Sequence, residues 1–248
     1  MKHTSAVLLA MLVYVTAGFA SAQTRNESPF GESYTKIFAR PFFASAILSI
    51  HRPSWQKSFP LWIYFGGRGR SMVRVGGPAR GQGLVLLSRD KRVYLYFPGA
   101  DLRLDLPSMM GSFPLFGSDF CADDFFAFAD LSAKFIVQSD GEESLSGVET
   151  KRYRLVPRAR DTTLYAAARL WVSRSRGLPL RQEFISERGQ VAREVVMEED
   201  GALPFPSRWH ATTFTAGSGS SELAFRVFER NPPVSADLYT VEGLRRWR

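Results

Sequence analysis

Short runs of alternating apolar and polar residues, separated by Gly and Pro about every ten positions, dominate this sequence. In one run Tyr153 and Leu155 alternate with Arg152 and Arg154. A period of two places alternate side chains on opposite faces of a β-strand, so the pattern predicts an antiparallel sheet with one apolar face and one wetter face. The predicted strands are residues 44–52, 61–65, 71–75, 84–87, 92–97, 102–104, 134–138, 150–156, 166–172, 180–186, 191–198, 208–215 and 222–228.

The number of these runs favours one large sheet. A chain of 248 residues can bury a substantial core, and no linker, low-complexity tract or internal repeat divides it. So many short strands in a single unit are typical of a sheet that curls on itself or forms an open barrel.

The first 22 residues have the organisation of an export signal. Lys2 and His3 form a polar start, an apolar stretch runs from Val7 to Phe19, and residues 20–22 are the small residues Ala-Ser-Ala that signal peptidase accepts. A membrane anchor is the weaker alternative, because spanning a bilayer requires about 20 apolar residues. We expect cleavage after Ala22, a periplasmic location and a single mature domain of residues 23–248.

Charge and composition narrow the possible functions. The chain has 32 basic and 24 acidic residues, a net charge of +8. In an exported chain whose arginines are scattered among strands, attraction to anionic membrane surfaces explains this charge better than nucleic-acid binding does. The Gly/Arg segment at residues 66–70 is interpreted as a hairpin turn. A single cysteine excludes a disulfide framework and a Cys-based zinc site.

The residues of a catalytic site are not recognisable in this sequence. Neither Ser118 nor Ser218 lies in a G-x-S-x-G elbow, and the glycines at 76–81 lack the Lys-Ser/Thr of a phosphate-binding loop. His51 and His210 lie in strand-like runs without an obvious Asp partner. The central aspartates lack the ligand spacing of an EF-hand. We therefore expect no enzymatic activity, no metal and no cofactor.

A phenylalanine-rich segment in the middle of the chain departs from the strand pattern. Six phenylalanines occur from Phe113 to Phe128. Asp123 and Asp124 fall in the first turn of a predicted helix, where carboxylates favour the positive end of the dipole. The segment is either a plug in the core or a lid over a hydrophobic cavity. Helical spacing over residues 121–131 brings an apolar set to one face: Cys121, Ala122, Phe125, Phe128 and Ala129.

Several motifs resemble the LolA-like outer-membrane lipoprotein-sorting proteins. They are the tyrosine-rich strand and proline at residues 93–98, a GSDF motif at 117–120, and the acidic helix start that follows. The resemblance covers about residues 44–244. It implies an unclosed antiparallel β-barrel, a curled sheet of about eleven strands, whose concave apolar face is covered by helices. Motif residues interpreted as structural are Gly117, Ser118, Asp119, Phe120 and Asp124.

Two positions depart from the family pattern. Cys121 stands where relatives commonly have Ser or Thr after GSDF, and a hydroxyl there would cap the helix. We interpret Cys121 as a half-buried structural substitute. Gly77, before Pro78, stands where the family has an arginine that clasps the lid, and Arg74 or Arg80 is a candidate replacement.

The resemblance implies non-covalent carriage of an acyl-bearing cargo through the periplasm. The implied partners are lipoprotein or lipid acyl chains, an inner-membrane transporter and an outer-membrane acceptor, and we expect a monomer. An acyl chain gains about 0.8 kcal/mol per CH₂ removed from water, so its site needs apolar area rather than precise geometry. Alternatives are a periplasmic sensor domain for envelope stress and, least favoured, an enzyme. The expected cavity and lid residues are Phe65, Val73, Leu84, Leu86, Tyr94, Tyr96, Phe113, Phe116, Phe125 and Phe128.

Overall fold

The computed structural model describes residues 28–67, 69–77, 83–90, 92–126, 131–214, 219–240 and 242–244. The expected signal sequence, Arg80, Phe128 and Ser218 lie outside the described residues. The described part has short α-helices at Glu32–Phe38 (α1), Ala122–Phe126 (α2) and Leu131–Lys134 (α3). No helix within it has the length and apolarity needed to cross a bilayer.

One antiparallel sheet of 13 strands forms the body of the protein. The estimate of about eleven strands is therefore too low: every predicted run pairs with a neighbour, down to the five-residue strand that begins at Leu102. The strands are β1 (Phe42–Arg52), β2 (Trp55–Gly67), β3 (Arg70–Gly76), β4 (Gly83–Arg89), β5 (Arg92–Phe97), β6 (Leu102–Leu106), β7 (Phe135–Leu145), β8 (Val148–Pro157), β9 (Ala167–Ser173), β10 (Pro179–Ile185), β11 (Val191–Glu198), β12 (Arg208–Thr213) and β13 (Ser220–Arg230).

The strand order consists of two meanders joined at one seam. Strands β1 to β6 form the first meander and β7 to β13 the second. The seam is the pairing of β1 with β13, which runs from Phe42 opposite Arg230 to His51 opposite Ser220. Strands β6 and β7 consequently lie at the two opposite edges of the sheet. The chain between them, residues 107–134, has to pass from one edge to the other; we call it the connection.

The sheet is strongly curled. The 3₁₀-helix Ser108–Ser112 of the connection contacts β5 and β6 near one edge and also the 3₁₀-helix Arg160–Thr162 between β8 and β9 near the other. In a flat sheet β5 and β8 would be more than about 40 Å apart, whereas five residues of 3₁₀-helix span only about 10 Å. The structure is therefore an unclosed, curled antiparallel sheet, as expected.

Side-chain alternation creates an inner and an outer face. In β1 the side chains of Phe42, Ala44, Ala46, Leu48 and Ile50 are buried, while the residues between them are only partly buried. The buried set belongs to the main apolar core, which also receives α1 and the connection, so this is the inner face.

The outer face carries a smaller apolar cluster of its own. Met72, Val85 and Leu87 of β3 and β4 pack there against Tyr239, which lies in the 3₁₀-helix Ala236–Tyr239, and against Leu244. The tight approach of this helix is visible at Gly66, where a Cβ would lie 2.8 Å from the Tyr239 ring. The hairpin interpreted at residues 66–70 is present, because Gly67 pairs with Arg70 between β2 and β3.

Candidate functional site

The GSDF motif anchors the connection to the seam of the sheet through Asp119. Its buried carboxylate lies 2.9 Å from Arg52 Nη1, and it accepts hydrogen bonds from Ser221 Oγ at 2.7 Å and from the Thr213 N–H at 3.2 Å. Arg52 also donates to the carbonyl of Gly117 at 2.7 Å. Residues of β1, β12 and β13 thus hold one turn of the connection.

Gly117 and Ser118 shape that turn. Gly117 has φ +74°, a left-handed conformation that glycine adopts without a side-chain penalty. The Ser118 hydroxyl donates to the Leu115 carbonyl at 2.7 Å and accepts from the Phe120 N–H at 3.1 Å. The motif is therefore built for local structure and attachment.

A second buried ion pair fixes the start of α2. Asp124 pairs with the guanidinium of Arg193, a β11 residue that is 1% exposed. Asp124 also accepts hydrogen bonds from the Cys121 N–H at 2.8 Å and from Cys121 Sγ at 3.3 Å. Arg193 Nε donates to the Asp119 carbonyl at 2.7 Å, and its guanidinium lies 4.5 Å from the Phe184 ring centroid. Asp124 and Asp119 are therefore linked through one arginine.

This arrangement corrects the interpretation of Cys121. The residue is buried rather than half-buried, and its sulfur donates to Asp124 instead of capping the helix as an acceptor. The Asp124 carboxylate does the capping by binding the Cys121 N–H, which is the back-bonding half of a capping box. Burial, followed by the charge of Asp124, raises the pKa of the Cys121 thiol well above its ordinary range.

Arg193 is positively charged in the folded protein. Burial by itself would lower the pKa of Arg193, but the adjoining Asp124 and Cys121 outweigh that effect, and the pKa lies above its ordinary value. The pair is thus ionised on the arginine side at any physiological pH. The pairing of Arg193 with Asp124 was not expected from the sequence, because 69 residues separate the two.

Asp123 ties the two halves of the connection together. Its carboxylate accepts from Ser112 Oγ at 2.9 Å and pairs with Lys134 Nζ at 2.5 Å. A Cβ at Gly111 would lie 2.5 Å from Asp123 Oδ1, so the absence of a side chain permits this close approach. Glycine at this position therefore serves the contact with Asp123 and not a left-handed turn.

An apolar cavity of about 40 Å³ lies between α1, α2 and the inner face. It has room for only a few water molecules. Except for Asp124, its wall is apolar and mostly aromatic: Tyr34, Ile37, Phe38, Phe42, Ile63, Phe125, Phe205, Trp209 and Phe225. Close ring contacts continue the aromatic wall beyond the cavity, since the Phe65 ring stacks on Phe42 with centroids 5.0 Å apart.

The structure divides the expected cavity residues between the two faces. Phe65, Val73, Leu84 and Leu86 belong to the inner core, and Phe116 and Phe125 pack against it. Of the expected residues that the structure describes, Phe125 lines the cavity directly. Phe113 is 37% exposed.

Tyr94 and Tyr96 share a face as the period of two requires, but it is the outer face. They therefore lie across the sheet from Val73 and Leu86 and do not join the inner cavity. The Tyr96 hydroxyl donates to Asp101 Oδ1 at 2.9 Å. These two residues are not part of the cavity wall.

Sequence reasoning missed helix α1 and most of the cavity wall. Tyr34, Ile37 and Phe38 follow the i, i+3, i+4 spacing of an amphipathic helix, which is a signal present in the sequence. Phe205 and Trp209 flank the start of β12 and carry no comparable signal. Neither Arg52 nor Arg193 was expected to hold the connection. Arg74, the suggested clasp, lies over the Trp62 ring at 5.4 Å on the outer face.

A larger and more polar pocket of about 230 Å³ lies away from the inner cavity. Its wall includes Arg70, Asn231 and Tyr239, the last being part of the outer cluster.

The ring of His210 lies between two carboxylates, with its nitrogens 3.6 Å from a Glu198 oxygen and 3.7 Å from a Glu222 oxygen. Over the described ranges, no group of three or more His, Cys, Asp or Glu side chains is arranged to hold a metal ion.

The fold is shared with several solved structures. A DUF1329 family protein of Desulfovibrio piger is 16% identical, with a TM-score of 0.73 over 88% of this chain and 100% of that one. A LolA superfamily protein of Nitrosomonas europaea is 18% identical, with a TM-score of 0.70 over 86% and 96%. An outer-membrane lipoprotein-sorting protein domain of Vibrio parahaemolyticus is 14% identical, with a TM-score of 0.72 over 85% and 95%.

Sequence comparison adds the family. No curated protein matches the chain significantly. A protein-family model described as an uncharacterized protein matches residues 67–246. The fold that the GSDF region implies is confirmed by the structural likeness. The chain therefore belongs to this family of uncharacterized proteins, and its fold is the LolA-like fold.

Proposed function

We propose that the protein is a periplasmic carrier that binds the acyl chains of lipoproteins or of another lipid against the inner face of its sheet. The observation that carries this proposal is the aromatic cavity between α1 and α2. Delivery toward the outer membrane, with an inner-membrane transporter and an outer-membrane acceptor as partners, is the role that fits such a binder. No step in this role requires a catalytic residue.

Binding requires the cavity to enlarge. A space of about 40 Å³ is far smaller than an acyl chain, so in this proposal the structure is the closed form, in which aromatic side chains fill the space that the chain would take. Apolar contacts are non-directional, and an acyl chain that replaces them restores the buried area at little net cost. The same side chains would therefore serve as core in the closed form and as binding wall in the open form.

Helix α1 is the cover that moves in this proposal. It has seven residues, and Tyr34, Ile37 and Phe38 attach it to the inner core by apolar contacts. Its ion pair, Glu32 with Lys36, lies within the helix and is exposed. An acyl chain can substitute for every one of its apolar contacts with the core.

The GSDF turn and α2 form the fixed wall. Displacing them would break the buried pairs of Asp119 with Arg52 and of Asp124 with Arg193. Separating a buried pair leaves an uncompensated charge and costs about 3–5 kcal/mol. In this proposal α1 is the lid in place of the phenylalanine-rich segment, and the described part of that segment belongs to the wall.

The test is saturable binding of a fluorescent fatty acid to protein purified from the periplasm, together with native mass spectrometry for copurified lipid. Phe38→Ser removes apolar area from the cavity wall, and we expect at least tenfold weaker binding, because the ring contributes about 1.5–3 kcal/mol of transfer free energy. Phe214→Ser is the matched control, since Phe214 is 53% exposed and does not line the cavity.

The binding comparison is made below the unfolding transition of both variants. Copurified fatty acid or phospholipid would identify a lipid carrier, and a copurified acylated protein would identify a lipoprotein carrier. Absence of saturable binding for every acyl probe, or equal affinity of the Phe38 variant and the wild type, would rule out the proposed site.

A further inference from the structure

The two edge strands of the sheet, β6 and β7, differ in register and in the residues that they expose. Edge strand β7 has a break in register between Ser139 and Glu142 and carries the acidic residues Asp140, Glu142 and Glu143. Bulges and charges of this kind prevent another strand from adding to an edge. Edge β7 is therefore protected.

Edge strand β6 has no break in register, and its two charged residues, Arg103 and Asp105, lie on the outer face and leave the inner face apolar. It pairs with β5 without a register break from Leu102 opposite Phe97 to Leu106 opposite Val93. Leu102 is 47% exposed and Leu104 is 42% exposed although both lie on the inner face. Apolar exposure continues on the adjoining 3₁₀-helix and just beyond it, at Met109, Met110 and Phe113.

An open strand edge beside an exposed apolar patch is typical of an interaction surface. Within the part of the chain that the structure describes, β5 is the strand that pairs with β6. The other side of β6 is an edge of the sheet, and an edge of this kind can pair with a further strand. The remaining question is which strand fits.

The sequence of β6 is complementary to itself. We propose that two copies of this chain associate by antiparallel pairing of their β6 strands, with Leu104 of one copy opposite Leu104 of the other on a two-fold axis. Arg103 of each copy then faces Asp105 of the second copy on the outer face. On the inner face Leu102 of each copy faces Leu106 of the second copy.

Opposite charges directly across an antiparallel pair stabilise it, and like charges destabilise it. An axis centred on Arg103 would place two arginines opposite each other, and an axis centred on Asp105 would place two aspartates opposite each other. Centring on Leu104 makes both charged pairs favourable. The register is thus specified by two residues, and such a contact is isologous and closes at two copies.

The inner-face leucines give the association its apolar component. Pairing two β6 strands brings the Leu102, Leu104 and Leu106 side chains of both copies together, next to the exposed methionines of each copy. Pro107, which follows β6, has no N–H to donate and ends the ladder. The proposal goes beyond acyl-chain binding and does not depend on it. It replaces the monomer expected from the sequence.

Charge exchange tests the register. In sedimentation velocity we expect the wild-type protein to show a concentration-dependent doubling of mass. Arg103→Asp and Asp105→Lys should each raise the dissociation constant at least tenfold, because each places like charges across the axis. An equimolar mixture of the two variants should recover wild-type affinity as a heterodimer, since every facing pair is then opposite in charge. Recovery in the mixture also shows that both variants are folded.

Cysteine cross-linking tests the geometry independently. The native thiol at Cys121 is buried, so a cysteine introduced on β6 is the reactive one. Leu104→Cys places two thiols opposite each other, within the Cα separation that a disulfide requires. Leu102→Cys is the control: it is equally exposed and on the same face, but its two copies would be about 13 Å apart.

We expect mild oxidation to give a disulfide-linked dimer for Leu104→Cys and not for Leu102→Cys. A wild-type protein that stays monomeric at all concentrations overturns the proposal and leaves the edge to a different partner. Equal cross-linking of the two cysteine variants, or a dimer that the charge variants do not weaken, overturns it as well.

Discussion

Arg52 Nη1 and Asp119 Oδ2 lie 2.9 Å apart in a buried site, and this contact joins the end of β1 to the connection that crosses the sheet. The carboxylate also binds Ser221 and Thr213, so both of its oxygens have partners. A charged pair with this many hydrogen bonds keeps its geometry, because any displacement exposes an uncompensated charge. The contact therefore defines the fixed side of the candidate site.

Replacing Asp119 with alanine is predicted to destabilise the fold by about 3–5 kcal/mol, the cost of leaving the partner of a buried pair without its countercharge. The measurement is urea denaturation followed by circular dichroism. Glu142→Ala is the control, because Glu142 and Arg174 form an ion pair that is about half exposed and worth at most about 1 kcal/mol. Similar losses for the two variants would contradict the anchoring role of Asp119.

The thiol of Cys121 is predicted to react slowly in the native protein. Burial and the charge of Asp124 raise its pKa far above the usual range, so the reactive thiolate is scarce at pH 8. We expect a bulky maleimide to label the folded protein at least a hundredfold more slowly than the urea-unfolded protein. Cys121→Ser should change stability by less than about 1.5 kcal/mol, because a hydroxyl can donate to Asp124 in place of the thiol. Rapid native labelling would show that the residue is accessible.

Tyr165 is predicted to make the fold less stable at high pH. Burial raises the pKa of Tyr165 to about 12, while the unfolded chain ionises near 10. The unfolded state therefore releases this proton first, and the stability from the neutral phenol is present below pH 10 and is lost as the pH rises toward 12. In denaturation series from pH 9 to 11, Tyr165→Phe should lose less stability than the wild type. Parallel curves would contradict the shift.

The strand pattern was predictable because the inner face is apolar throughout. Each buried residue of β1 is followed by one that is less buried, and this alternation is visible in the residues themselves. The absolute face was not predictable where both faces are covered. Tyr94 and Tyr96 belong to an apolar cluster although they lie on the outer face, because Tyr239 and Leu244 near the C-terminus cover that face. Their sequence pattern therefore looks like that of inner residues. Period two gives relative orientation and nothing more.

The anchoring contacts were beyond sequence reasoning for a different reason. Asp119 and Asp124 were recognised as motif residues, but Arg52 and Arg193 come from distant strands that meet them only when the sheet curls. Helix α1 was missed although the spacing of Tyr34, Ile37 and Phe38 indicates it, since its seven residues are shorter than most helices. The cavity wall combines α1 with β12 and β13, so its composition depends on the tertiary fold.

The start of α1 is attached to the turn between β9 and β10 by a close contact between two glycines, Gly31 and Gly177. The Gly31 N–H donates to the Gly177 carbonyl at 3.0 Å, and a Cβ at Gly177 would lie 2.2 Å from Gly31 Cα. Gly177 also has φ +64°. Any side chain at this position pushes the start of α1 away from the β9–β10 turn.

Gly177→Ala is therefore predicted to loosen α1. Gly189→Ala is the matched control: Gly189 has φ +76° but nothing within 4 Å of its Cβ position, so it carries only the left-handed backbone cost of about 1–2 kcal/mol. We expect Gly177→Ala to lose more stability than the control. In hydrogen exchange, the amides of residues 32–38 should exchange at least tenfold faster in this variant, while those of residues 118–124 stay as in the wild type, because the buried ion pairs still hold them. Equal acceleration of both segments would mean that α1 and the connection open together, and α1 would then not be a separate cover.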